Sequence, residues 1–188
     1  MIYMLNIKNL EKFTDQAQTS IQNVVREYCQ HLFLLYLYQQ PRSEHLLFKG
    51  GTALRIVFHS PRYSEDLDFT GVNIGQREVE EIFTNTLADI ENTGIGVELE
   101  EAKPTTGGYL GIATFQAYGR NVGVQIEVSL RNGKGIKGVS SLIENDYIPA
   151  YTLVHLPKEG IIKGKMQALI NRRKPRDFYD YFFLLSGN

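Results

Sequence analysis

Residues 48–69 read FKGGTALRIVFHSPRYSEDLDF, and the order of signals in this stretch decides the fold. A short apolar run, residues 46–48, predicts a strand that stops at Gly50 and Gly51. Residues 52–59 have helical spacing, with Thr52 placed to cap the helix and Pro61 to end the segment. Residues 66–72 predict a second strand. Alternate residues of a strand share a face, so Asp66 and Asp68 are expected side by side with Leu67 and Phe69 buried behind them. Two adjacent carboxylates repel each other, and a divalent cation removes that cost while gaining oxygen ligands. The glycine pair lets backbone N–H groups approach an anion closely. Each piece alone has a plain reading: D-x-D is mostly a polar strand end, Gly-Gly mostly a turn, and Ser64 and Glu65 read as loop residues. In this order, with a helix between them, the pieces form the equipment of phosphoryl or nucleotidyl transfer.

Outward from this segment, residues 19–38 carry apolar side chains at helical spacing, and residues 78–91 read as an amphipathic helix. Residues 97–102, 109–118 and 121–130 read as strands, the last two joined by a hairpin turn at Gly119-Arg120. Residues 132–138, rich in glycine and lysine, read as a mobile loop. Residues 158–171 and 175–185 read as helices, with Pro175 in the first turn of the second. The expectation is an α+β chain: a mixed sheet of about five strands packed with helices, with further helices at both ends. It divides into a core over residues 1–150, including the N-terminal helix, and a helical segment over 151–188 that completes the site.

Composition narrows the function. A net charge of −1 argues against a uniformly basic nucleic-acid wrapper, though it permits a local basic patch. The single cysteine, Cys29, forms no internal disulfide and reads as a buried structural thiol. The N-terminus lacks a basic start and apolar signal core, and the apolar run 31–38 is too short to span a bilayer. No membrane association and a cytoplasmic location are therefore expected. The four histidines show no pairing at zinc-ligand spacing.

Two further regions bear on chemistry. In residues 124–130, Gln125, Glu127 and Ser129 share one strand face and Val124, Ile126, Val128 and Leu130 the other. Glu127 is either merely solvent-facing or, beside the Asp66–Asp68 strand, a third metal ligand. Two Mg²⁺ ions about 4 Å apart would orient an in-line displacement at phosphorus. Near the C-terminus, Lys163, Lys165, Arg172, Arg173, Lys174 and Arg176 place six positive charges within fourteen residues. This is either a solvated basic helix end or, because apolar residues interleave, a phosphate-binding face with Lys165 emerging one turn from Ile162 and Leu169. Asp177 and Asp180 share one helix face; they pair with Arg173 and Arg176 or serve the site directly.

Four motifs together resemble the AbiEii/AbiGii nucleotidyltransferase family of the DNA polymerase β-like superfamily. They are Phe48-Lys49-Gly50-Gly51-Thr52-Ala53-Leu54, Arg62-Tyr63-Ser64-Glu65-Asp66-Leu67-Asp68-Phe69, Lys165-Met166-Gln167-Ala168-Leu169 and Arg173-Lys174-Pro175-Arg176-Asp177-Phe178-Tyr179-Asp180. The resemblance runs from about residue 45 to 185. It implies a nucleotidyltransferase fold and transfer of a nucleotide from an NTP, in some members to the 3′ end of tRNA. It also implies a toxin role in toxin–antitoxin or phage-defence systems, with a cognate antitoxin as partner. Asp66 and Asp68 are implied metal ligands, with Glu127 as the third candidate, and Mg²⁺ as the ion. Gly51 and Thr52 are implied triphosphate contacts, Lys165 a nucleotide-binding residue and Asp177 a catalytic or site-organising one. Gly50, Ser64, Arg173 and Arg176, from the same motifs, complete the expected nucleotide-binding set. Two other functions fit the same residues: a catalytically idle binding module that keeps the fold, and a nucleotidyltransferase acting on a small molecule such as an antibiotic. Intact Asp66, Asp68 and Lys165 argue against the first and the basic C-terminal run against the second.

Overall fold

A computed structural model describes residues 7–131 and 136–186. Helix α1 (Ile7–Ala17) and helix α2 (Ile21–Leu37) come first, and the Ser20 hydroxyl caps α2 by accepting from the Asn23 amide. Strand β1 (Leu46–Lys49) runs straight into helix α3 (Gly50–Phe58), and strand β2 (Leu67–Val72) returns beside β1. Helix α4 (Gln76–Glu91) precedes strands β3 (Gly96–Thr105), β4 (Gly108–Ala117) and β5 (Arg120–Arg131). Strands β6 (Val139–Ile143) and β7 (Tyr151–His155) follow, and helices α5 (Lys158–Arg172) and α6 (Pro175–Leu185) end the described chain.

The sheet is mixed, as expected, but has seven strands rather than about five, in the order β3-β4-β5-β2-β1-β7-β6. The two additional strands escape sequence reading for different reasons. Four of the five residues of β6 are exposed or half-buried, so it carries no alternation. Strand β7 is only five residues long and lies between β1, to which it is parallel, and the edge strand β6. The helical part of the C-terminal segment accordingly begins at Lys158. Of the segment 132–138 expected to form a loop, residues 132–135 lie outside the described residues, and 136–138 lead without regular structure into β6. The hairpin between β4 and β5 turns on Tyr118 and Gly119, both at positive φ (54° and 69°), one residue earlier than the Gly119-Arg120 expected. Two consecutive left-handed residues match the right-handed twist of the flanking strands.

Period-two alternation gives the central strands two unlike faces. Phe48, Phe69, Val128 and Tyr109 are register neighbours across β1, β2, β5 and β4, and all are buried. Their face packs under α2 and α4, where Phe83 meets the rings of Phe33 and Tyr109 edge-on. Cys29 is fully buried in this core and its thiol is pushed up to about 12 by burial, as a structural cysteine should be. One residue along, the register row on the opposite face reads Lys49, Asp68, Glu127. Among the described residues, no helix is long and apolar enough to cross a membrane.

Candidate active site

The glycine pair makes room for the site rather than merely turning the chain. Gly50 stands at φ +86°, and a Cβ there would lie 2.0 Å from Asp68 Oδ2. A side chain at Gly50 would therefore evict the carboxylate. A Cβ at Gly51 would lie 2.6 Å from both Arg62 Nη2 and Ser64 Oγ. Because α3 begins at Gly50, Asp68 faces the amino end of a helix, where unpaired N–H groups and the helix dipole favour negative charge. Thr52 does not cap α3. It is fully buried, and its hydroxyl donates to the Asp66 carbonyl at 2.5 Å.

Asp68 lies inside β2, while Asp66 stands one residue before the strand. Leu67 and Phe69 are both fully buried behind them, as expected. Burial raises the Asp66 carboxyl above its ordinary range, and Glu65 adds to this while Arg176 and Arg26 oppose it. Asp68 is raised as well: burial acts first, Lys49 opposes it, and Glu127 and Asp66 push further in the same direction. Glu127 is exposed, in register with Asp68 on the neighbouring strand. Among the described residues, no hydrogen bond or ion pair occupies the carboxylate oxygens of Asp66, Asp68 or Glu127, and no three His, Cys, Asp or Glu converge on one point. Two half-buried carboxylates with unspent oxygens and mutual repulsion form a donor set suited to a hard divalent cation.

Next to this set lies a cavity of about 660 Å³ between the sheet and α5. Gly50, Asp68 and Lys165 line it, whereas Asp66, Gly51, Thr52, Ser64, Glu127, Arg173, Arg176 and Asp177 do not. Its walls include six basic residues (Lys49, Arg131, Lys137, Lys163, Lys165 and Arg172) and one acidic residue, Asp68. Such a surface attracts a polyanion the size of a triphosphate. Lys49, at the carboxyl end of β1, is the cation that sequence reading passed over. Its ammonium donates to Ser129 Oγ at 3.2 Å. Burial pulls the Lys49 ammonium below its ordinary value against Asp68 and Glu127, which favour the charge. The signal for it was its position, one residue before the glycine pair and in register with Asp68.

The acidic residues of α6 pair differently from expectation. Asp180, 1% exposed, takes a two-pronged bond from Arg62 (both 2.8 Å) and a third from Lys165 Nζ at 2.7 Å. Burial would raise Asp180, but hydrogen bonds from Arg62 and Lys165 overcome this and hold it below the usual carboxylate range. Asp177, equally buried, accepts from Arg172 Nη2 at 3.0 Å. Arg173 and Arg176, the partners expected for these aspartates, are exposed. The pairing has a geometric cause. Arg173 sits in the left-handed conformation that ends α5, which turns its side chain out, and Arg172 closes the connection instead. Asp180 thereby joins the Asp66 loop, through Arg62, to the lysine helix.

Two solved structures share this architecture. JHP933 from Helicobacter pylori superposes with a TM-score of 0.64 at 23% identity, over 89% of this chain and 68% of that one. A candidate nucleotidyltransferase from H. pylori superposes with a TM-score of 0.61 at 22% identity, over 89% of this chain and 70% of that one. At such identities the likeness is one of fold. No curated protein matches the sequence. The family description "Nucleotidyl transferase AbiEii toxin, Type IV TA system" matches residues 32–188, which hold every motif of the site, and the chain belongs to that family.

Proposed function

We propose that the protein is a Mg²⁺-dependent nucleotidyltransferase that moves a nucleotide from an NTP to an RNA acceptor, a tRNA 3′ end being the first to try. The observation that carries this reading is the pairing of an unspent carboxylate row, Asp68 beside Glu127 with Asp66 adjacent, with a basic cavity of triphosphate size. Asp66 and Asp68 would hold the cation; Glu127, in register with Asp68, would become a third ligand only by swinging toward it, since the three do not converge in this structure. When bound, Mg²⁺ sharpens the attacking oxygen and neutralises charge on the triphosphate and the departing pyrophosphate. The chain's own part is placement. Lys165, oriented by Asp180, and Lys49 meet the phosphates from two walls of the cavity. The α3 amino end, opened by Gly50 and Gly51, directs N–H groups at the same charge. Arg172, steadied by Asp177, adds a further cation, while Arg176 acts on Asp66 and Ser64 Oγ stands beside Gly51, outside the cavity lining. In this role the protein acts as a toxin in the cytoplasm, opposed by a cognate antitoxin, in toxin–antitoxin or phage defence.

Purified protein incubated with Mg²⁺, each of four α-labelled NTPs and total RNA tests the reading. Label is expected in an RNA band with at least one NTP, and not with Asp68→Asn. No transfer to RNA from any NTP would overturn it.

A further inference from the structure

The two aspartates of the D-x-D motif are held by different means. Asp68 lies within the sheet, flanked by Lys49 on β1 and Glu127 on β5. Asp66 precedes β2, and pairing with β5 starts only at Leu67. Its placement depends on what grips the loop before it. Gln30, on α2 and 2% exposed, donates its amide nitrogen to the carbonyls of Ser64 and Glu65, each at 3.0 Å. Thr52 takes the next carbonyl, that of Asp66. Three successive carbonyls are thereby bound by two side chains from two helices.

Gln30 is anomalous where it stands. Its α2 neighbours Tyr28, Cys29, Leu32 and Phe33 are fully buried. Burying an amide among such residues is costly unless its hydrogens are used. Both amide hydrogens have acceptors, and both acceptors belong to the loop that delivers Asp66. Gln30 also lies ahead of residue 32, where the family match begins.

We propose that Gln30 is a positioning residue: with Thr52 it fixes the backbone from Ser64 to Asp66, and so sets where the Asp66 carboxylate points. This rests on the reading of Asp66 and Asp68 as metal carboxylates. Asp68, braced by two strands, does not need such support.

The test compares full-length Gln30→Met, which keeps the length and removes the donors, with Val25→Ala, which weakens α2 packing and leaves the clamp intact. Four quantities are measured: thermal midpoint, deuterium uptake of residues 62–67, Mn²⁺ affinity by electron paramagnetic resonance, and NTP transfer. For Gln30→Met, faster uptake is expected in that segment alone. Weakening of Mn²⁺ binding by ~10-fold is expected, the scale of lost outer-sphere support. A kcat loss of ~10- to 100-fold should accompany a nearly constant KM, because a misplaced group costs rate more than ground-state binding. Val25→Ala should lower the midpoint while keeping kcat and Mn²⁺ affinity. Equal losses in both variants would reduce Gln30 to a packing residue and overturn the proposal, as would unchanged uptake at 62–67 in Gln30→Met. Absence of Mn²⁺ binding in the wild type would instead defeat the metal reading. Deuterium uptake alone would then decide the clamp.

Discussion

The two walls of the cavity are built on different physics. The sheet wall carries Lys49 and Asp68, with Glu127 in register beside Asp68 but outside the cavity lining, on three hydrogen-bonded strands backed by one continuous apolar core. The helical wall is α5, with α6 packed against it, and is backed by a separate small cluster of Leu54, Ile161 and Leu184. Ile161 is the one fully buried residue of α5, and on the outer faces Ile170 and Phe182 are 62% and 72% exposed. What ties this wall down is charge: Arg62 and Lys165 on Asp180, and Arg172 on Asp177. The anionic half of the site is thus held by burial and backbone pairing. The cationic half is held by ion pairs, which acid and salt weaken.

Breaking the sheet wall should cost the most activity and the least stability. Asp68→Asn is expected to lower transfer by at least ~100-fold, the scale of removing a principal electrostatic group, and Asp66→Asn likewise. Neither should lower the thermal midpoint. The sign follows from their carboxyls being raised in the folded state: stability they contribute below the unfolded pKa is lost as pH rises through the folded value, so at neutral pH their charge is a burden. Near wild-type turnover in Asp68→Asn would show that this row is not the metal site.

Asp180→Asn should do the reverse. Removing the shared partner of Arg62 and Lys165 should cost about 3 kcal/mol, at the lower end for a broken buried pair because Arg62 is partly exposed. The loss should fall on α5 and α6, read by deuterium uptake of those helices against β2 and β5. In the wild type, Asp180 is held below the ordinary range, so its contribution is present above about pH 4 and lost as pH falls through the folded value. Acid should therefore release the helical wall while relieving repulsion in the carboxylate row. Simultaneous release of both walls would refute the two-part description.

Lys165→Met keeps the stem and removes the ammonium. A rise of ~10-fold in KM for NTP is expected, about 1.4 kcal/mol of lost phosphate attraction. Lys165→Arg should rescue it only in part, since a planar fork does not replace a point charge beside Asp180. Tight NTP binding in the Met variant would shift the role to Lys49 and Arg172. Glu127→Gln should have the smallest effect, a several-fold loss of turnover with NTP binding intact, because this exposed carboxylate stands at the edge of the row. No change in its turnover or metal affinity would leave Asp66 and Asp68 as the whole ligand set.

Much of this was legible along the chain because its signals are local. A glycine pair between a strand and a helix, alternating apolar residues in β2, β4 and β5, and helical spacing in α2, α4 and α6 depend on neighbours a few residues apart. Burial of Leu67 and Phe69 behind the aspartates followed from period two alone. Strand β6 gave no such signal, since an exposed edge needs no alternation, and β7 was missed because five residues are too few to stand out. The partner of Asp180 was missed because nearness in sequence favoured Arg173 and Arg176, whereas Arg62 reaches it across 118 residues.

The motifs therefore determined, from residue types and spacing alone, which chemistry the chain is equipped for and which segments carry it. Tertiary structure decided who meets whom. It put Lys49 and Glu127 on either side of Asp68, gave Asp180 to Arg62 and Lys165, and set Gln30 against the loop that bears Asp66. Local pattern follows from the helix and strand periods that every chain obeys. Pairing between distant segments depends on strand order and helix packing, which satisfy buried polar groups across the whole fold at once.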